Sequence, residues 1–170
     1  MKKMKFVSGM CVAGMLVLGG MAGCGTNETK STATQQESQK ERDMKEADKA
    51  AMEYVRAYID VDTIKLNELL YKKNKFYEEH VVNPGASKGL NNRYDLNRYD
   101  LDEGKNEYYY YVKYYDSAEK IQTSLELKVV KDEKDGKWKN YEWAWDSNNS
   151  LESIVGSMKP IHVHKWGQKE

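Results

Sequence analysis

The sequence predicts an α+β domain, with N-terminal helices packed on one side of a curved antiparallel sheet. Three observations carry this expectation. Apolar residues recur at spacings of three and four between residues 41 and 61. From Glu107 onward the period drops to two. The pair Asp135-Gly136 then separates two strand-like runs, as a tight hairpin requires.

Each element follows from its own residues. From Glu41 to about Val61, the residues Met44, Ala47, Ala51, Tyr54, Val55, Tyr58 and Ile59 form one apolar stripe, and charges fill the opposite face. Asp62 is placed to cap a second, shorter helix whose apolar side is Ile64, Leu66, Leu69, Leu70 and Tyr71. Residues 72–80 read as a further helical turn or two, with Phe76 and Tyr77 facing in. Asn83-Pro84-Gly85 breaks the pattern. The following stretch reads as a loop with a tandem repeat, Asn92-Arg93-Tyr94-Asp95-Leu96 and then Asn97-Arg98-Tyr99-Asp100-Leu101. Asp102 and Glu103 add to its acidity. Two copies of five residues are too few for a solenoid.

Tyr108 to Tyr115 is apolar on both faces, which predicts a strand that is central or lines a cavity. Ile121, Thr123, Leu125, Leu127 and Val129 alternate with polar residues, the pattern of a half-buried antiparallel strand. After the hairpin, Trp138 to Asp146 returns as a strand with Tyr141, Trp143 and Trp145 on one face. A loop at Ser147-Asn148-Asn149-Ser150 leads to a short helix over Leu151–Met158, capped by Ser150 and stopped before Pro160. Residues 161–166 read either as an edge strand or as a tail.

The N-terminus has a different character. Lys2, Lys3 and Lys5 precede an apolar run from Phe6 to about Leu18, shorter than the ~20 residues a membrane span needs. The run ends in Met21-Ala22-Gly23-Cys24, which resembles a bacterial lipobox, with Met21 where Leu is commonest. The resemblance implies cleavage between Gly23 and Cys24 and a diacylglyceryl group on the Cys24 sulfur, with palmitate-like chains in the membrane. The competing readings fit less well: no A-x-A-like site marks an ordinary secretory signal, and an uncleaved anchor would want a longer apolar run. Cys11 would leave with the signal, so the mature chain would keep no disulfide and no free thiol. One acyl chain holds a protein only marginally, whereas two attach it stably at ~0.8 kcal/mol per buried CH₂. The expected location is the extracytoplasmic face of the cell membrane.

The expected organisation is a signal peptide over 1–23, a lipidated cysteine with a flexible tether over 24–40, and a globular domain over 41–170 with its core in 41–146. The tether has no large apolar residue and cannot bury enough surface to fold. All 27 acidic residues and 24 of the 27 basic ones follow the signal, giving the mature chain a net charge of −3. That balance gives no electrostatic case for nucleic acid or for anionic lipid.

The helix ending Tyr54-Val55-Arg56-Ala57-Tyr58-Ile59, the Asp62 cap before Leu69-Leu70, and the hairpin ending Asp135-Gly136-Lys137-Trp138-Lys139 resemble the nuclear-transport-factor-2-like (cystatin-like, cone-shaped) superfamily. The resemblance covers roughly residues 41–146 and lies in the order of elements. It implies a cone-shaped α+β fold that serves enzymes, secretion scaffolds, inhibitors and binding modules alike. Its enzymes use a polar dyad inside the cone, often Asp with His or Tyr. The sequence shows no clear strand between the helices and Tyr108.

Motifs for chemistry are sparse. His162-x-His164 would place two imidazoles on one side of a strand, but only His80 and carboxylates remain to complete a metal site. Asp100-Leu101-Asp102-Glu103-Gly104 begins like a calcium loop, yet the twelfth position is Tyr111 instead of Glu. No G-x-S-x-G, H-E-x-x-H or phosphate-cradling glycine run occurs. No cofactor or metal is therefore expected. The candidate binding face is aromatic: Tyr109, Tyr111, Tyr114, Tyr141, Trp143 and Trp145, with Tyr115 beside them, against the alternative that these rings are core. The sequence thus predicts a non-catalytic, lipid-anchored binding protein of the bacterial envelope, its partner an envelope protein or a wall component. The alternatives are a small-ligand or enzymatic pocket in a cone, or a scaffold subunit of a secretion or conjugation complex.

Overall fold

The computed structural model describes residues 38–101, 106–142 and 150–169. The lipobox, Cys24, residues 24–37 of the expected tether, Asp102, Glu103, Trp143 and Trp145 lie outside the described residues. Helix α1 runs Gln39–Asp60, starting two residues before the periodicity suggests. The reason is a capping box: the Ser38 hydroxyl accepts the Glu41 N–H at 3.2 Å, and the Glu41 carboxylate accepts the Ser38 N–H at 2.8 Å. Such caps contribute about 1 kcal/mol. The helix ends at Val61, whose φ of 49° is left-handed, and Asp62 then caps α2 (Thr63–Leu69) by accepting the Lys65 N–H at 2.8 Å.

Residues 72–80 are not helical. Phe76, expected to face in, is 94% exposed, while Tyr77 packs partly against the core. Side-chain bonds replace the helical ladder here. The Asn67 carboxamide accepts the Asn74 N–H, and the Thr63 hydroxyl bonds the backbone at Glu78 and His80. A 3₁₀ turn over Ala86–Leu90 follows. A Cβ added at Gly89 would stand 2.5 Å from the Ser117 side chain, so this turn and the one after the second strand meet at glycine distance.

Five strands form one antiparallel sheet: β1 (Tyr94–Tyr99), β2 (Glu107–Asp116), β3 (Ile121–Lys131), β4 (Trp138–Asn140) and β5 (Ile161–His164), in the order β4-β3-β2-β1-β5. β1 overturns the reading of the tandem repeat as a loop. β2 is the central strand, as its two-faced apolar pattern anticipates. The Asp135-Gly136 turn forms, with Gly136 at φ 70° and Lys139 bridging Asp132 and Asp135. β4 stops at Asn140 as a regular strand, shorter than expected. Leu70 forms a bridge to Asn140, and the Asn140 carbonyl accepts the Tyr71 N–H at 2.8 Å. The Ser150 cap starts α3 (Leu151–Val155), and β5 is the edge strand of the two readings offered for residues 161–166.

α1 crosses one face of the sheet. Ala47, Ala51, Val55 and Ile59 present a small-residue ridge, and Tyr94, Leu96, Tyr110, Val112, Tyr114, Leu127 and Val129 rise to meet it. Each fully buried aliphatic side chain contributes roughly 1.5–3 kcal/mol. Among the described residues, no helix is long and apolar enough to cross a membrane.

Candidate functional site

The alternation of β2 decides where its tyrosines go. Tyr110 and Tyr114 point under α1 and are fully buried, and burial holds the Tyr114 hydroxyl up at about 12. Tyr109 and Tyr111 pair with Lys128 and Glu126 across the other face. Tyr109 is itself buried there, with the Lys128 ammonium 5.2 Å from its ring centre. Tyr115 lies under the Arg93 guanidinium at 4.0 Å. The structure therefore does not bring Tyr109, Tyr111 and Tyr114 onto one face. Of the aromatic residues singled out in the sequence, Tyr141 lines a concave site.

That site is a cleft of about 300 Å³ between the C-terminal half of α1 and the β3–β4 edge. Leu125, Glu126, Leu127 and Lys128 of β3 line it from the sheet, Tyr54 and Tyr58 from the helix, and Tyr77, Asn140, Tyr141 and Glu142 complete the lining. It lies beside the end of the regular β3–β4 pairing, where the Tyr141 N–H still donates to the Lys128 carbonyl at 2.7 Å. Tyr54 and Tyr58 sit four residues apart on the apolar stripe, where aliphatic residues would simply pack. That substitution of phenol for alkyl is the signal in the sequence that marks the cleft.

Polar groups in the cleft converge on Glu142, and Tyr54 stands beside Tyr77. The Tyr77 hydroxyl donates to Glu142 Oε1 at 2.6 Å, and Asn74 Nδ2 donates to Glu142 Oε2 at 3.3 Å. Burial first, and then the Glu142 carboxylate, push the Tyr77 hydroxyl up to about 12. Burial pushes Tyr54 higher still, so both remain neutral donors in physiological water. Tyr141 stacks at a tilt on Tyr71 with ring centres 5.9 Å apart, and the Lys72 and Lys128 ammoniums stand 5.7 and 5.4 Å from its ring centre. Lys128 is paired with Glu107 at 2.8 Å. Asn140 is 5% exposed, and among the described residues its Oδ1, itself shielded from solvent, has no hydrogen-bond donor.

A second polar cluster lies at the other end of α1. Arg98, 5% exposed, donates through Nη1 to both oxygens of Asp48 at 2.7 and 2.9 Å, and through Nε to Asp100 at 2.7 Å. The Tyr110 hydroxyl donates to the same Asp48 at 2.9 Å. This cluster ties α1 to β1 and β2.

The two histidines of β5 are parted. A register shift between Leu96 and Asn97 opposes His162 to Asn97 and His164 to Leu96. His162 bonds the Asn97 carboxamide at 2.5 Å, while His164 is buried and stacked on Tyr94 with ring centres 3.9 Å apart. This corrects the expectation that both imidazoles share one side of the strand. Among the described residues, no group of three His, Cys, Asp or Glu side chains is arranged to hold a metal ion.

No protein-family model, curated protein or solved structure matches the chain.

Proposed function

We propose that the protein is a lipid-anchored, extracytoplasmic binding protein of the bacterial cell envelope, and that it binds without catalysing a reaction. The observation that carries this reading is the cleft: a concavity walled by phenol rings, with a few convergent polar groups. Small-molecule sites have this composition, and a wall component is the ligand the location offers. The Met21-Ala22-Gly23-Cys24 run supports the anchoring.

The test has two parts. Cys24→Ala should release the protein or leave an unprocessed precursor; unchanged size and membrane retention would sink the anchoring. Native mass spectrometry of the full chain extracted from membranes should show a co-purified mass that Tyr54→Trp, which fills the cleft, expels. A second reading, a scaffold subunit, draws on the exposed side chains of Ile64 in α2 and of Phe76, Val81 and Val82 between α2 and Pro84. A stable higher-order peak in gel filtration that Phe76→Glu abolishes would favour it.

A further inference from the structure

We infer that the face around Phe76 docks on the anionic lipid headgroups of the membrane that carries the anchor. This deepens the reading of the chain as lipid-anchored and rests on it. The net charge of −3 hides a local excess of positive charge. Lys72, Lys73 and Lys75 follow one another closely, and all three are exposed. Among the described residues, no carboxylate pairs with any of them. Lys73 donates to the Asn67 carbonyl at 2.8 Å, and the Lys72 ammonium stands 5.7 Å from the Tyr141 ring centre. With Asn74, Phe76, Tyr141 and Glu142, the three lysines line an open hollow of about 430 Å³. Its one carboxylate, Glu142, already accepts from Tyr77 and Asn74. Glu78 and Glu79 follow about one turn away along α2, where Thr63 bonds the backbone at residues 78 and 80.

The fold holds Phe76 outward. The Asn74 N–H donates to the Asn67 carboxamide at 2.8 Å, and the Asn74 carboxamide accepts the Phe76 N–H at 3.0 Å. Tyr77 turns back to Glu142 and packs partly against the core. Lys75 and Phe76 are thus a tip between two fixed residues, and the phenylalanine is 94% exposed. The sequence has two phenylalanines, and Phe6 leaves with the expected signal, so the mature chain places its one phenylalanine in water. Tyr71 and Tyr141 stand together beside the lysines. Such a face suits a bilayer surface: ammoniums meet phosphates, the phenyl ring enters the acyl boundary, and phenols sit at headgroup level. An anionic polymer in solution would answer the lysines and leave the ring in water. An apolar protein surface would cover the ring and strand the ammoniums. The tether keeps a bilayer near, because the 13 residues between Cys24 and Ser38 reach at most about 45 Å and typically span about 20 Å.

The test labels the full chain with para-fluorophenylalanine, expressed with its own signal in a lipid-modifying bacterial host. Membrane-extracted protein goes into lipid nanodiscs, either phosphatidylcholine alone or an equimolar mixture with phosphatidylglycerol, each with a trace of gadolinium-chelating lipid. One fluorine resonance is expected, from position 76, broadened strongly in the anionic discs and little in the neutral ones. Exchanging Lys72, Lys73 and Lys75 together for Gln should weaken docking about a hundredfold, roughly fivefold for each charge, and relieve the broadening. Lys134→Gln with Lys137→Gln, on the β3–β4 hairpin, should change it little. Equal broadening in both discs overturns the proposal, as does equal relief by the hairpin variant. A resonance that shifts with protein concentration in neutral discs assigns the face to a second copy instead, which also overturns it. If one resonance appears in disc-held protein and stays sharp in anionic discs, the docking face falls and the anchor stands. If a second resonance from Phe6 persists, or the protein does not stay with the discs, the anchoring reading falls and the inference falls with it.

Discussion

The two ends of the seam between α1 and the sheet use the same chemistry to different ends. At the Asp48 end, a tyrosine hydroxyl and an arginine converge on a carboxylate and satisfy it: Tyr110 and Arg98 donate to Asp48, and Arg98 also donates to Asp100. At the Glu142 end, a tyrosine also meets a carboxylate, but nearby a buried acceptor, Asn140 Oδ1, is left unmatched among the described residues. The type of residue therefore does not distinguish a structural cluster from a binding site. Saturation does: a saturated buried network fixes one packing, and an unsaturated one leaves a polar atom to be answered.

Substitutions can break that contrast. Arg98→Met should cost the most, about 3–5 kcal/mol in urea unfolding, because it strands the Asp48 carboxylate in the interior. Adding Asp48→Leu to it should recover much of the loss. Tyr110→Phe should cost about 1–2 kcal/mol, whereas Tyr77→Phe, at the open end, should cost less than about 0.5 kcal/mol. Equal costs for the two would erase the distinction. Asn140→Leu should leave the ligand-free protein as stable or about 1 kcal/mol more stable, since it removes an unmatched acceptor. A clear loss would mean that the acceptor is already satisfied.

The smallest effect is in the pH dependence, where two aspartates of α1 act with opposite sign. Burial outweighs the Arg98 charge and raises Asp48 above its ordinary 3.8, so its contribution is full below 3.8 and is lost as pH rises through the folded value. The hydrogen bond from Lys131 lowers Asp43, so its contribution is present above 3.8 and is lost as pH falls through the folded value. Urea midpoints between pH 2 and 7 should show Asp43→Asn losing less on acidification than the wild type. Asp48→Asn should remove a decline that the wild type shows as pH rises.

Much of the fold was legible because its signals are local. The stripe of α1, the caps at Asp62 and Ser150, the alternation of β3 and the Asp135-Gly136 turn each need only a few neighbouring residues. β1 was not legible. Its inward residues are Tyr94, Leu96 and Arg98, and an arginine reads as solvent-facing until Asp48, fifty residues earlier, is seen beside it. The five-residue repeat hid it further. An odd period on a two-residue pleat turns each copy over, so Tyr94 is buried under the helix while Tyr99 pairs with Tyr109 on the far side. The cleft was legible in part. Tyr141 was singled out, but Tyr54, Tyr77 and Asn140 come from three separate stretches that only the tertiary packing brings together.

The meeting of Gly89 with Ser117 limits how this sequence can diverge. With Ser at 117, a methyl group at 89 has nowhere to go, since its nearest neighbours would be the Cβ and Oγ of Ser117 at 2.5 Å. The two sites are therefore free to drift only together: a lineage that acquires alanine at 89 should carry glycine at 117. Such a paired exchange, between positions far apart in the chain and on no binding surface, would be a hereditary mark of this fold in sequences otherwise too altered to align.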